Sequence, residues 1–446
     1  MTAETINAAD IRINARWLIP IEPAGAVLDH QAVLIQGDRI AAIMPQHEAD
    51  KRYRAKEVID LPAHVVMPGL INTHGHAAMS LFRGMADDLP LMAWLNDHIW
   101  PAEGEFVSES FIADGTQLAM AEMLRTGTTT FSDMYFFPET VAQLAHDAGM
   151  RAQVCFPLLD FPTPWGSGPD EYLSKGRAFI EQWAGNAFIS PAIGPHAPYT
   201  VSDDPLTRAV ALSKDTGAPI QIHLHETEFE VADALEKTGA RPTARMAELG
   251  LLGPNTQCVH MTQIDESDLA LLEQSGAHVI HCPESNLKLA SGFSPIQKMR
   301  DAGVNVAIGT DGAASNNDLD LFGELNTAAM LAKAVAGDAA ALSSHEALAM
   351  ATIAGARAIG RDKDLGSLEA GKLADLIAVD LSDPFLQPVY DPASHLVYSR
   401  HGRQVSHSWI GGVPQVQDGE LTRIDVPDLM LRVQSWADRI REQQSR

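Results

Sequence analysis

The alternation of hydrophobic and polar positions changes texture twice along the chain. From Ile11 to about Met67 short β-type runs, Ile11 to Ile19, Ala32 to Gln36, Arg39 to Ile43 and Glu57 to Asp60, are separated by turns, with Gly37-Asp38 marking a tight hairpin. Between them and Leu365, apolar runs of strand length alternate with helical segments. Eight strands are predicted: Val65 to Asn72, Thr128 to Asp133, Ala152 to Pro157, Ile189 to Pro195, Ile220 to Leu224, Gln257 to Val259, His278 to Ile280 and Val306 to Thr310. The helical pattern falls on Phe111 to Arg125, Thr140 to Ala148, Pro205 to Thr216, Glu228 to Thr238, Glu266 to Gly276 and Leu319 to Ala334. Past Leu365 the short-strand texture returns in Gly366 to Asp380, Leu396 to Ser399 and His407 to Ile410, the last followed by Gly411-Gly412.

This order predicts an α/β protein: a (β/α)₈ TIM-type barrel over 68–364, with the two chain ends joined in a small β-sandwich domain. Residues 1–67 supply its first part and 365–446 its second, together with a C-terminal helix. In such barrels the chemistry sits at the C-terminal ends of the strands. His74 and His76 follow the first predicted strand and His196 follows the fourth. His223 and Glu226 close the fifth, His260 the sixth, His281 the seventh and Asp311 the eighth. Core histidines scattered at random have no reason to fall so regularly.

Composition narrows the partners. The 446 residues carry 32 basic and 58 acidic side chains, a formal charge of -26, which repels nucleic acid and anionic membrane at long range. A small-molecule substrate, neither nucleic acid nor membrane, is the expectation. Cys155, Cys258 and Cys282 are few, odd in number and far apart, so no disulfide framework is suggested. Met1 to Asp10 lacks the basic and apolar regions of a secretory signal, and a cytoplasmic protein is expected.

Three segments carry candidate chemistry. Met67-Pro-Gly-Leu-Ile-Asn-Thr-His74-Gly-His76 is an apolar strand ending in His-x-His, whose alternate side chains point one way and can face one metal. Two partly exposed histidines would explain the pair equally. In Gln221-Ile-His223-Leu-His225-Glu226, His223 is a third candidate ligand and Glu226 a group in reach of substrate; a half-buried histidine beside a helix-starting acid is the plainer alternative. His225 reads as a structural imidazole. Asp311, in Gly309-Thr-Asp-Gly-Ala-Ala-Ser-Asn-Asn317, can bind metal through one oxygen and hold a water through the other, although Asp-Gly alone is usually a turn. His74, His76, His223 and Asp311 together supply the nitrogen and oxygen donors that one divalent ion accepts, zinc first and iron second. Such an ion lowers the pKa of bound water to about 7.

Pro68-Gly-Leu-Ile-Asn-Thr-His-Gly-His76, Gly194-Pro-His196-Ala-Pro-Tyr199, His223-Leu-His-Glu226, His281-Cys-Pro-Glu-Ser-Asn-Leu-Lys-Leu289 and Gly309 to Asn317 resemble the methylthioadenosine/S-adenosylhomocysteine deaminases of the amidohydrolase superfamily. The likeness extends to Gly371-Lys-Leu-Ala-Asp-Leu-Ile, nearly the whole chain. It implies one metal on His74, His76, His223 and Asp311, a proton-shuttling Glu226 that contacts the purine, and a His260 that assists the attacking water together with Asp311. It also implies Glu103, in Ile99-Trp-Pro-Ala-Glu103, for the ribose hydroxyls and His196 for further nucleoside contact. The implied substrate is a small purine nucleoside, deaminated at C6, and self-association into a homo-oligomer is common among such relatives. Members of the family that grip substrate with arginines between strands three and four differ here, because Asp160 to Lys175 contains none. A different 5'-substituent preference would result.

Rival expectations remain within the superfamily and outside it. Adenosine, guanine, cytosine and triazine aminohydrolases share the His-x-His, His-x-x-Glu and Asp pattern. A binuclear cyclic-amide hydrolase would need a lysine near the end of strand four, where Ile189 to His196 has none. A non-catalytic barrel would need none of these residues.

Overall fold

The protein is described by a computed structural model over residues 6–399 and 404–444; Met1 to Thr5, on which the reading of the N-terminus partly rests, lie outside the described residues. Strands β1 (Asn7–Leu18), β2 (Leu28–Gln36), β3 (Arg39–Pro45) and β4 (Tyr53–Pro68) come first. The barrel strands are β5 (Leu70–Asn72), β6 (Thr128–Met134), β7 (Arg151–Leu158), β8 (Ile189–Pro195), β9 (Ile220–Leu224), β10 (Thr256–His260), β11 (His278–His281) and β12 (Val306–Ile308). The chain ends with β13 (Leu376–Asp380), β14 (Val405–Ile410), β15 (Val413–Gln417), β16 (Glu420–Leu421) and the helix Val426–Gln444.

β5 to β12 are parallel and paired in chain order, with helices on the connections. Strands such as β6, β7, β9 and β10 are buried along their whole length because both faces are covered. The last and first strands meet through Thr73, whose N–H and hydroxyl both donate to the Ile308 carbonyl, at 3.1 and 2.6 Å, and through the Asp311 N–H on the His74 carbonyl at 3.1 Å. This closure brings the two ends of the candidate site side by side.

The other sheet runs β16-β15-β14-β13-β4-β1-β2-β3, so both chain ends contribute to it. It is one continuous sheet that curls over. Ile13, Val33 and Ile35 from one half share a core with Leu376, Ala378 and Trp409 from the other. Gly412, in the β14–β15 turn at φ 73, lies so close to the β2–β3 hairpin that a Cβ there would stand 3.0 Å from the Gly37 carbonyl oxygen. The buried Arg151 side chain grips Asp375 with two bonds, 2.6 and 2.9 Å, and ties this sheet to the barrel.

Two elements differ from expectation. Val65 to Asn72, read as one strand, splits at Gly69: its first half pairs with β1 and β13, and its second with β6. No side chain fits at the split, since a Cβ on Gly69 would sit 2.1 Å from the Thr129 hydroxyl oxygen. Leu396 to Ser399, expected extended, is instead in or beside the helix Pro392–Tyr398, because Asp391 caps its first turn by accepting from the Ala393 N–H and Pro392 suits the first helical position. The helices Pro169–Trp183 and Pro242–Glu248 also went unread.

The predicted helix at Phe111 begins at Glu109, where Ser108 accepts from the Phe111 N–H, and it packs directly on the turn that follows His76. Gly115 makes that approach: a Cβ there would meet the Ala78 carbonyl oxygen at 2.4 Å. Gly115→Ala should therefore destabilise the protein by about 1–3 kcal/mol, whereas Gly253→Ala, in open space, should stay within about 0.5 kcal/mol. Chemical-denaturation midpoints of the two variants check this, and equal midpoints would contradict it.

Candidate metal centre and substrate cavity

Strand ends place the chemistry. His74 and His76 leave β5, His223 lies in β9, and Asp311 follows β12; their ligand atoms all lie within 4.8 Å of one another. The Nε2 atoms converge: His223 Nε2 is 3.2 Å from His74 Nε2, and Asp311 Oδ1 is 3.4 Å from His74 Nε2 and 3.2 Å from His76 Nε2.

The opposite ring nitrogens show what this convergence is for. His74 Nδ1 faces Gln221 Oε1 at 2.8 Å, and His76 and His223 present Nδ1 to the Met134 and His196 carbonyls at 2.6 Å each. The Gln221 amide is oriented by its own donation to the Thr73 carbonyl and to Gln257 Oε1. Acceptors at every Nδ1 keep the proton there, so three Nε2 lone pairs point at one another. A cation between them turns that repulsion into binding. Against the effect of burial, Asp311 raises the His76 imidazole to about 9, while the two imidazoles hold Asp311 well below the usual carboxylate range. The donor set fits one divalent ion such as zinc.

Asp311 gives only Oδ1 to this centre. Its Oδ2 accepts from the hydroxyls of Ser285 and Ser315, at 2.7 and 2.8 Å. The oxygen that sequence reasoning reserved for a water is thus occupied by two serines.

Above the centre lies a cavity of ≈ 280 Å³ whose lining includes His76, His223 and Asp311 and also Glu226, His260, Glu103 and His196. His74 is buried beneath it. Glu226 Oε1 lies 3.9 Å from His260 Nε2, and the other His260 nitrogen donates to Asn286 Oδ1 at 2.8 Å. Burial, with the charge of Asp311 added, pushes the Glu226 carboxyl up to about 8. Burial also raises Glu103 to about 7, although Tyr135 donates to it at 2.6 Å. His196 bonds Thr200 through Nδ1 at 2.9 Å, and burial lowers it to about 3, leaving it neutral. His225 points elsewhere, bonded to the Gln263 carbonyl and accepting from the Thr243 N–H.

Several positions in the site went unread. Glu230 is buried, and its two oxygens accept from the N–H groups of His225 and Glu226 at 2.8 Å each, holding the turn in which His225 adopts φ 52. Asn72 bonds both Thr310 and the His74 backbone. Asp133, closing β6, accepts from the Ala77 N–H at 2.6 Å. Asp133 and Asn72 were open to the same test of polar residues at strand ends, while Glu230, on a helix, carried no such signal.

An eight-stranded parallel barrel with three imidazoles and a carboxylate gathered at its C-terminal strand ends is the framework of a metal-dependent hydrolase. The chain belongs to the amidohydrolase family, whose model matches residues 65–414, and within it to the 5-methylthioadenosine/S-adenosylhomocysteine deaminases. A deaminase of that name from Saccharophagus degradans is 54% identical over 437 residues, 98% of each chain. The zinc-bound crystal structure of an adenosine deaminase from Xanthomonas campestris is similar with a TM-score of 0.97 and 46% identity, covering 98% of this chain and 100% of that one. An atrazine chlorohydrolase from Arthrobacter aurescens, complexed with zinc, shares the fold with a TM-score of 0.89 at 21% identity, covering 96% of this chain and 100% of its own. Among the described residues no helix is long and apolar enough to cross a membrane.

Gln221→Met, which removes the acceptor from His74 Nδ1 at nearly constant volume, should weaken zinc binding about 10- to 100-fold. Competition against a chromophoric chelator measures it; unchanged affinity would mean that Gln221 does not set the His74 tautomer. Zinc added to metal-free protein at pH 8 should also release protons, because His76 then gives up the one it holds. A titration in weak buffer reads that release directly.

Proposed function

We propose that the protein hydrolytically deaminates the adenine ring of a 5'-thio nucleoside, 5'-methylthioadenosine and/or S-adenosylhomocysteine, at C6, giving the inosine derivative and ammonia. The observation that carries this reading is the approach of buried Glu226 to His260, Oε1 to Nε2 at 3.9 Å, in the cavity that also contains His76, His223 and Asp311; burial raises the Glu226 carboxyl and lowers the His260 imidazole. The names of the relatives support the substrate. Three buried, unpaired thiols, Cys155, Cys258 and Cys282, support a cytoplasmic setting.

His74, His76, His223 and Asp311 would hold the ion. When bound, it supplies Lewis acidity, lowering the pKa of water at the site toward about 7. Glu226 donates its proton to N1 of the purine, which draws electron density from C6. His260, whose Nδ1 donates to Asn286 and whose Nε2 lone pair is free, takes a proton from the water as its oxygen bonds to C6. His260 then returns that proton to the amino nitrogen, and the C6–N bond breaks to release ammonia. The remaining hydroxyl proton passes to Glu226, which regenerates the acid and leaves the product carbonyl. Serine hydroxyls on Oδ2 fix the Asp311 carboxylate throughout. Glu103 accepts from the ribose hydroxyls, and His196 packs against the nucleoside.

Glu226→Gln should lower kcat by about 10²- to 10⁴-fold while the zinc content stays that of the parent protein. Retained turnover would remove Glu226 from its role. For the parent protein, kcat/KM should fall as pH rises through about 8, since the donating form of Glu226 is lost there. A profile still flat at pH 9 would contradict the assignment.

A further inference from the structure

The proposed deamination orients the nucleoside but leaves its 5'-substituent open, and a subsite for that substituent rests on the same orientation. With adenine toward Glu226 and His260 and ribose toward Glu103, the 5'-substituent falls on the rest of the cavity wall. Much of that wall comes from the segment 91–106 and the loop after β7, including Leu95, Ile99, Trp100, Leu159, Phe161 and Pro162. Trp100 and Phe161 stand edge to face, with ring centroids 6.3 Å apart.

Among the described residues, no lysine or arginine lines the cavity. The cations on neighbouring stretches of chain are engaged already. Arg83 is paired with Glu122, Lys288 binds Asp87 at 2.6 Å, and Lys175 binds Glu171 at 2.7 Å and the Trp165 carbonyl at 2.6 Å.

We propose that this wall is a subsite for an uncharged, apolar 5'-substituent such as a short thioether, and that it discriminates against a substituent ending in an amino-acid zwitterion. A thioether sulfur and its methyl group gain contact with Trp100 and Phe161. The carboxylate of a homocysteine arm would lose part of its hydration against a wall that offers it no cation, and a charge desolvated without a partner is disfavoured.

The test compares kcat/KM for 5'-methylthioadenosine, 5'-deoxyadenosine and S-adenosylhomocysteine on the zinc-loaded protein, by ammonia release. Methylthioadenosine should exceed S-adenosylhomocysteine by about 100-fold, with 5'-deoxyadenosine on the favoured side; a ratio below about 10 overturns the assignment. Phe161→Arg, a change at an exposed position, should cut that ratio by about 10-fold by giving the carboxylate a partner. An unchanged ratio in the folded variant places the 5'-group elsewhere and also overturns it. Turnover of none of the three removes the deaminase reading itself, and this subsite with it, whereas equal turnover of the thioether and the zwitterion removes the subsite alone.

Discussion

Closure of the barrel between β5 and β12 is the constraint on which the site depends. These strands are distant in sequence, and the bonds that join them are few: Thr73 to the Ile308 carbonyl and the Asp311 N–H to the His74 carbonyl. The second of these runs between the backbones of two proposed metal ligands, so the contact that shuts the barrel also sets the spacing of the centre. Asn72 reinforces it by bridging His74 and Thr310. Asp311 adopts φ 60 there, and His260 φ 77, conformations that cost an ordinary residue about 1–3 kcal/mol and that persist where surrounding bonds over-determine them.

Gathering three imidazoles and a carboxylate in a buried space works against folding. The protein accepts that cost by fixing each imidazole from behind: an amide or carbonyl oxygen at every Nδ1 leaves the Nε2 atoms no freedom to turn away. The resulting pocket of convergent lone pairs is unfavourable alone and favourable around a cation, so metal affinity and local instability are two aspects of one arrangement. The same logic governs the acids. Glu226 and Glu103 lie in a largely apolar cavity that favours their neutral forms, while Asp311, facing imidazoles, stays ionised.

The cavity divides its work between strand ends and connections. Reactive groups stand on the rigid barrel, where strand geometry sets their position. Much of the remaining wall comes from the segment 91–106 and the loop after β7, which hold none of the four proposed metal ligands. The barrel shared with the chlorohydrolase at 21% identity is a likeness of fold alone.

The chain's own pattern determined the parallel barrel, the order of its strands and the side chains that can bind a metal. These follow from period, composition and position at strand ends, which are local properties. Where a single apolar run passes from one sheet to the other is not local: Val65 to Asn72 looks uniform, and only the approach of Thr129 to Gly69 breaks it. The helix at Pro392 was local and still went unread, since Asp391-Pro392 is a start signal that the apolar pattern masked. The roles of Glu230, Gln221, Ser285 and Ser315 were decided by tertiary structure alone. Each acts through a bond to a backbone group or side chain that the folded chain brings near, and no spacing in the sequence records which oxygen of Asp311 remains free for a metal.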